Sequence, residues 1–428
     1  MCKDLFIYEV IGRKTLSLHE FFNISKSLNC IDIIPEIKVL YILSNKNEVE
    51  LLKKKMYFLA IHKVDSFYCE MRSTGRSKST KSITSLWSKQ WDIHQVTENG
   101  KSYITHCISP HISIGIIDSG IDYNHADIKE SILPGSKNFV PKGGYKNKEE
   151  YETGKIEDVT DYMGHGTGVA GQITGNGYIT GVAPGVKIRS YKVFSQGKAQ
   201  SNWIIKAIIQ AVLDGNSVIN LSFGEYLMYT GKFSNSRNDF TKYEAYNRAI
   251  EFANSHGSLI VAAVGNESTK IDNQAQLIDT IVKKRGKSIA EIGKIIDCPA
   301  QLNNVVTVAS TDISRKISNF SNYSFTDIDF YAPGGSTTNY HKLGSDNFIK
   351  DGLYERDWII STSINNSYNY FFGTSFAAPK VSAALALIID KFNYYDTPKK
   401  AITHLLSGSV NHKCNPINIY NSLNYKII

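Results

Sequence analysis

Four residues carry complementary chemistry: Asp118, His165, Asn266 and Ser375. Asp118 closes the apolar run ISIGIID. His165 lies between glycines in GHGTGVAG, Asn266 follows SLIVAAVG, and Ser375 heads GTSFAAPKVSAALAL. A serine hydroxyl is a weak nucleophile and needs a base. Histidine titrates near neutral pH, so it can take the proton and return it to a leaving group. A buried carboxylate fixes the imidazole tautomer and stabilises the imidazolium. The Asn266 amide and the Ser375 backbone N–H can hold an oxyanion, which the positive end of a helix also favours. Together these groups imply acyl transfer. A serine opening a helix is often only a cap, and a lone acid at a strand end is often structural. The four together select the catalytic reading.

The order of the residues discriminates further. Asp precedes His, which precedes Ser, whereas α/β-hydrolases run Ser, Asp, His. Gly373-Thr374-Ser375-Phe376-Ala377 is not their G-x-S-x-G elbow. Gly166, Gly168 and Gly171 match the spacing of a dinucleotide fingerprint, but that motif needs a strand before it and an acid about 20 residues on. DVTDYM makes a poor strand, and residues 172–213 contain no Asp or Glu. These glycines are expected to serve helix packing beside His165.

The chain pattern supplies the elements that must position this group. From about residue 90, apolar runs at 112–118, 187–194, 217–223, 258–264 and 305–310 alternate with helical patterns such as SNWIIKAIIQAVLDG. Continuous apolar strands with helical crossovers predict an α/β fold, a mainly parallel sheet with helices on both faces. Active sites in such sheets lie beyond the carboxyl ends of the strands, where Asp118 and Asn266 fall. Residues 1–69 read βαββαβ, the split pattern of a small α+β ferredoxin-like domain, with its last strand in YFLAIHKVDSFYC. Residues 70–89, rich in Ser, Thr, Lys and Arg, read as an exposed linker. The catalytic part is then 90–428.

Composition bounds the class. The 428 residues carry a net charge of +8. Residues 1–89 hold 15 Lys and Arg against 9 Asp and Glu, so the larger part is near neutral, which argues against a nucleic-acid partner. The six cysteines show no metal-ligand spacing and no CxxC pair, so free thiols and no metal are expected. MCKDLFIYEVIGRK is a poor secretory segment. No apolar stretch approaches the length of a membrane span. As written, the sequence reads as cytoplasmic; it would be secreted if the true start carries a signal.

Residues from about 90 onward resemble the subtilisin-like serine proteases, the subtilases, in IIDSGID, GHGTGVAG, GVAPGVKI, SLIVAAVGNES and GTSFAAPKVSAALAL. Within that superfamily QWDIHQVTENGKSY, FVPKGGYKNKEEYETG, GEYLM and YAPGGSTTNY resemble the lantibiotic leader peptidases. The resemblance implies a triad of Asp118, His165 and Ser375 with Asn266 as oxyanion donor. It implies that Ser222, Phe223, Gly224, Ala262, Ala263 and Val264 line the cleft and pair with an extended peptide. The substrate would be a modified precursor peptide, cut once to release its leader. Residues 1–69 would be a propeptide, acting as intramolecular inhibitor or chaperone, with 70–89 the autoprocessing zone. No cofactor is required, and the short loop ITGNGYITGVAP puts the calcium site of subtilisins proper in doubt. Glu267, next to Asn266, would sit at the base of the S1 pocket and favour Arg or Lys before the cut by charge-assisted hydrogen bonding. Arg72 and Arg76 would then be self-cleavage positions.

Overall fold

A computed structural model describes residues 5–64, 69–71, 85–409 and 416–425. The N-terminal part runs β1 (Phe6–Gly12), α1 (Leu18–Lys26), β2 (Cys30–Ile34), β3 (Val39–Ser44), α2 (Lys46–Lys53) and β4 (Phe58–Lys63). Both helices start on capping boxes, Ser17 with Glu20 and Asn45 with Glu48. The antiparallel sheet has the order β2-β3-β1-β4. Alternation divides its side chains. Tyr8, Val10, Leu40 and Ile42 pack with Phe21 of α1 and Val49 of α2. Ile11, Ile34, Val39 and Tyr41 face the opposite way, into the core of the larger part.

The strand expected to continue to Cys69 does not. β4 ends at Lys63, and Cys69–Met71 form a separate strand, β5, in a different sheet. The expected boundary between residues 69 and 70 thus falls inside β5. Arg72 and Arg76 lie outside the described residues.

The larger part contains, in order, α3 (Trp91–Thr97), β6 (Ser113–Asp118), β7 (Lys137–Asn138), α4 (His165–Thr174), β8 (Lys187–Lys192), β9 (Lys198–Ala199), α5 (Ser201–Leu213), β10 (Val218–Leu221), β11 (Phe223–Met228), β12 (Lys232–Phe233), α6 (Phe240–Ser255), β13 (Leu259–Ala263), α7 (Gln274–Arg285), β14 (Ile289–Glu291), β15 (Ile295–Cys298), β16 (Val305–Thr311), β17 (Phe330–Pro333), α8 (Thr338–Lys350), α9 (Tyr354–Asp357), β18 (Ile359–Ser363), β19 (Ser367–Phe371) and α10 (Thr374–Lys391). Seven parallel strands form one sheet, β17-β16-β13-β10-β6-β8-β7. Its side chains alternate between two cores. Ile114, Ile116, Val218 and Val261 pack under α4 and α10. Ile117, Ile219 and Ile260 pack under α5 and α6. Burial on both faces explains the continuous apolar runs.

The N-terminal sheet covers α5 and α6. Lys206 of α5 pairs with Asp32 at 2.8 Å. Arg248 of α6, nearly buried, donates to the carbonyls of Gly12 (2.8 Å) and Ile37 (3.0 Å). Among the described residues no helix is long and apolar enough to cross a membrane.

Candidate active site

Asp118 is the last residue of β6, and its carboxylate is fully buried. Such burial is costly unless the charge finds donors. The Ser119 N–H and His165 Nδ1 each lie 2.7 Å from its Oδ1. This contact fixes the imidazole with Nε2 as the reactive nitrogen. Nε2 is buried and has no hydrogen-bond partner among the described residues. His165 opens α4, whose first turn is held by Asp161. The Asp161 carboxylate accepts the N–H groups of Met163, Gly164 and Thr167, all at 2.9 Å. Gly166 allows the close approach, since a Cβ there would collide with the Gly120 carbonyl and press on the Asp118 side chain. The segment before α4 is a bend and not a strand, so the glycines are no nucleotide fingerprint. They let β18 close on the helix, with Ser361 Oγ donating to the Gly168 carbonyl and Thr362 Oγ1 to that of Thr167, both at 2.6 Å.

Ser375 is the second residue of α10, whose buried side chains run from Thr374 to Ile389. Gly373 precedes the helix at φ 135°, a conformation that favours glycine. Pro379, four residues after Ser375, has no N–H to give to the Ser375 carbonyl. Ser222 Oγ donates to that carbonyl instead, at 2.8 Å. Ser222 is itself held by Asn220, and Asn220 by Ser382 of α10, each at 2.9 Å. The Ser375 hydroxyl in turn donates to the Ser222 carbonyl at 2.8 Å. The ring of Phe376, the next residue, stands edge-on to the His165 ring at 5.5 Å.

Asn266 lies three residues beyond the end of β13. Its Oδ1 accepts both the N–H and the hydroxyl of Thr374, each at 3.0 Å. With the oxygen so held, Nδ2 is the side that serves as donor. Through Thr374 and Phe376, which flank Ser375, the structure brings Asn266 and His165 to the start of α10, with Asp118 behind the imidazole. Sequence reasoning missed Asp161, Thr374 and the Ser222–Asn220–Ser382 chain. Pro379 within an otherwise regular helix was the one signal for the last.

The cleft residues divide. Phe223 and Gly224 belong to β11, which pairs with β15 over Glu225–Met228 and antiparallel with β5 at its start, Phe223 opposite Met71 and Gly224 opposite Glu70. The other side of β5 pairs with β9, Cys69 opposite Ala199 and Glu70 opposite Lys198. A segment of the chain's own N-terminal region thus forms a strand beside Ser222. Of Ala262, Ala263 and Val264, expected to pair with a peptide, Ala262 and Val264 find their main-chain partners inside the fold. Ala262 pairs on both sides within the central sheet, with Leu221 of β10 and Thr307 of β16, and Ala263 pairs with Val308 of β16. The Val264 N–H goes to Val308, and its carbonyl accepts Asn322 Nδ2.

Glu267 is not the solvated acid of an open pocket. Its carboxylate accepts the Tyr226 hydroxyl at 2.6 Å and the Asn266 N–H at 3.0 Å, and it pairs with Lys284 at 2.5 Å. In the short loop after α4, Asp127 accepts the Ile179 N–H at 2.9 Å. Among the described residues no group of three or more His, Cys, Asp or Glu has metal-holding geometry.

Comparison with known proteins agrees with this geometry. Residues 109–416 match the Subtilase family. The chain is 44% identical over 342 residues to the nisin leader peptide-processing serine protease NisP of Lactococcus lactis subsp. lactis, covering 80% of this chain and 49% of that protein. It is 38% identical over 376 residues to the epidermin leader peptide-processing serine protease EpiP of Staphylococcus epidermidis, covering 86% and 80%. The chain thus spans about half the length of the first relative and most of the second. The crystal structure of EpiP from Staphylococcus aureus superposes with a TM-score of 0.88 at 35% identity, covering 99% of this chain and 98% of that one. The fold, the four convergent side chains and these relatives agree: the chain belongs to the subtilase family of serine proteases.

Proposed function

We propose that this protease removes the leader from a modified lantibiotic precursor peptide, cutting after a basic residue. The observation that carries the reading is β5. An extended segment lies between the edges of β9 and β11 and runs toward Ser222, whose carbonyl holds the Ser375 hydroxyl. A substrate strand would bind by the same main-chain pairing. Relatives named for processing nisin and epidermin leaders support this choice of substrate.

In this reading, residues 1–71 act as an intramolecular inhibitor that fills the cleft. Arg72 and Arg76, which lie outside the described residues, are the proposed self-cleavage positions, with the basic side chain just before the cut. A basic side chain at that place would reach Glu267 by exchanging with Lys284, whose ion pair already shows that this carboxylate accepts an ammonium. Mass spectrometry of the protein incubated with a leader-bearing peptide tests the whole reading. The expected result is one cut after Arg, with two fragments of the wild-type enzyme and a single Ser375→Ala chain. Equal digestion of casein, at many sites, would replace it with a degradative role. Glu267→Gln should lower kcat/KM for Arg peptides more than for neutral ones. Equal losses would remove the basic preference.

A further inference from the structure

Lys380 and Asp92 form an ion pair at 2.8 Å with both side chains wholly buried. Lys380 lies on α10, five residues after Ser375, and Asp92 on α3, at the start of the larger part. The ammonium also donates to Gln172 Oε1 at 2.6 Å and to the Phe376 carbonyl at 2.9 Å. Asp92 Oδ2, Gln172 Oε1 and the Phe376 carbonyl oxygen therefore surround the ammonium. Gln172 lies on α4, seven residues after His165, and its Nε2 donates to the Ile360 carbonyl of β18 at 3.0 Å. One ammonium thus links the helix that carries the base, the helix that carries the nucleophile, and α3. Burial pulls the Lys380 pKa down while Asp92 opposes this.

Replacing a fully buried ion pair by apolar side chains of similar size is often neutral or stabilising, so stability alone is a weak reason for one. Geometry supplies a better one. Each turn of helix advances 5.4 Å, so Lys380 and Gln172 sit one to two turns beyond the reacting ends of their helices. A slip of α10 along α4 would move the Ser375 hydroxyl relative to His165 Nε2. Phe376 would convey the slip, because its ring touches His165 and stacks on Phe371 at 4.6 Å. Proton transfer needs heavy atoms about 2.6–3.2 Å apart, and a displacement of about 1 Å can cost about 100-fold in rate.

We propose that Asp92, Lys380 and Gln172 are positioning residues that set the register of α10 against α4, and with it the separation of His165 and Ser375. The proposal rests on the serine-protease chemistry and not on the leader-peptide reading. Its test therefore uses substrates that need no leader, a small peptide ester and a fluorophosphonate probe, on the full chain.

The double variant Asp92→Leu with Lys380→Met replaces the charges by apolar side chains. It should melt near or above wild type and keep KM within about twofold. Its kcat and its rate of fluorophosphonate labelling of Ser375 should fall together, by about 10- to 100-fold. Gln172→Met keeps the ion pair but cuts the link to α4. It should lower kcat by about 3- to 10-fold without moving KM. A stable double variant with kcat within twofold of wild type would overturn the proposal, as would a rise in KM at constant kcat. If the double variant fails to fold, unchanged kcat in Gln172→Met overturns the proposal by itself.

Discussion

Two buried pairs brace the helices that carry the catalytic side chains, and they differ in one respect. Asp118 with His165 ties the front of α4 to the end of β6. Asp92 with Lys380 ties the middle of α10 to α3. The Lys380 ammonium lies against three oxygens, whereas the His165 ring keeps Nε2 without a partner among the described residues. Buried polar atoms are almost always hydrogen-bonded, so an exception needs a reason. At His165 the reason is that Nε2 must receive the Ser375 proton during turnover.

Substitutions can break this contrast. The largest effect is expected from His165→Ala or Ser375→Ala, each lowering kcat by about a millionfold, a magnitude taken from subtilisin, with KM nearly unchanged. Active-site titration and steady-state kinetics measure it. Asp118→Asn leaves Nε2 in place but presents the wrong tautomer, so kcat should fall by about 10⁴-fold. A loss of only tenfold would mean that Asp118 does not set the tautomer. Asn266→Ala removes one oxyanion donor and should lower kcat by about 100- to 1000-fold, again on the subtilisin scale. An unchanged kcat would assign the oxyanion to other donors.

The smallest effect concerns a third buried group, in the N-terminal part. His62 faces a 610 Å³ cavity between the two parts, lined also by Arg237, Lys53 and Asp239. Burial lowers its pKa to about 4, aided by Arg237 and Lys53 and opposed by a backbone contact at Asn238 and by Asp239. The unfolded histidine binds a proton near pH 6.5, so the folded state binds fewer protons between those values. Stability should then fall as pH drops from about 6.5 towards 4. His62→Gln should flatten that slope in melting temperature against pH, and an identical slope in both proteins would reject the assignment.

Much of this was legible in the sequence. The strand-end positions of Asp118 and Asn266 followed from apolar runs buried on both faces, and the helix-start positions of His165 and Ser375 followed from their glycines. β5 was not legible, because its three residues pair with β9 and β11 and carry no periodicity of their own. The structural engagement of Glu267 was hidden for a similar reason, since Tyr226 and Lys284 lie 41 and 17 residues away in sequence. Lys380 could have been noticed as the single charge in AAPKVSAALAL. Its partner could not, because nothing local connects it to QWDIHQV.

The two-sided pairing of β5 has a consequence for what the enzyme can reach. A chain that takes its place must offer hydrogen bonds along both of its edges at once, to β9 and to β11. A strand already inside a folded sheet, or any part of a helix, has those groups committed. With substrate binding in place of β5 as proposed, the cleft would admit only stretches that are locally unfolded. A compact protein bearing the right residues would pass untouched unless the stretch around its cut site hangs loose.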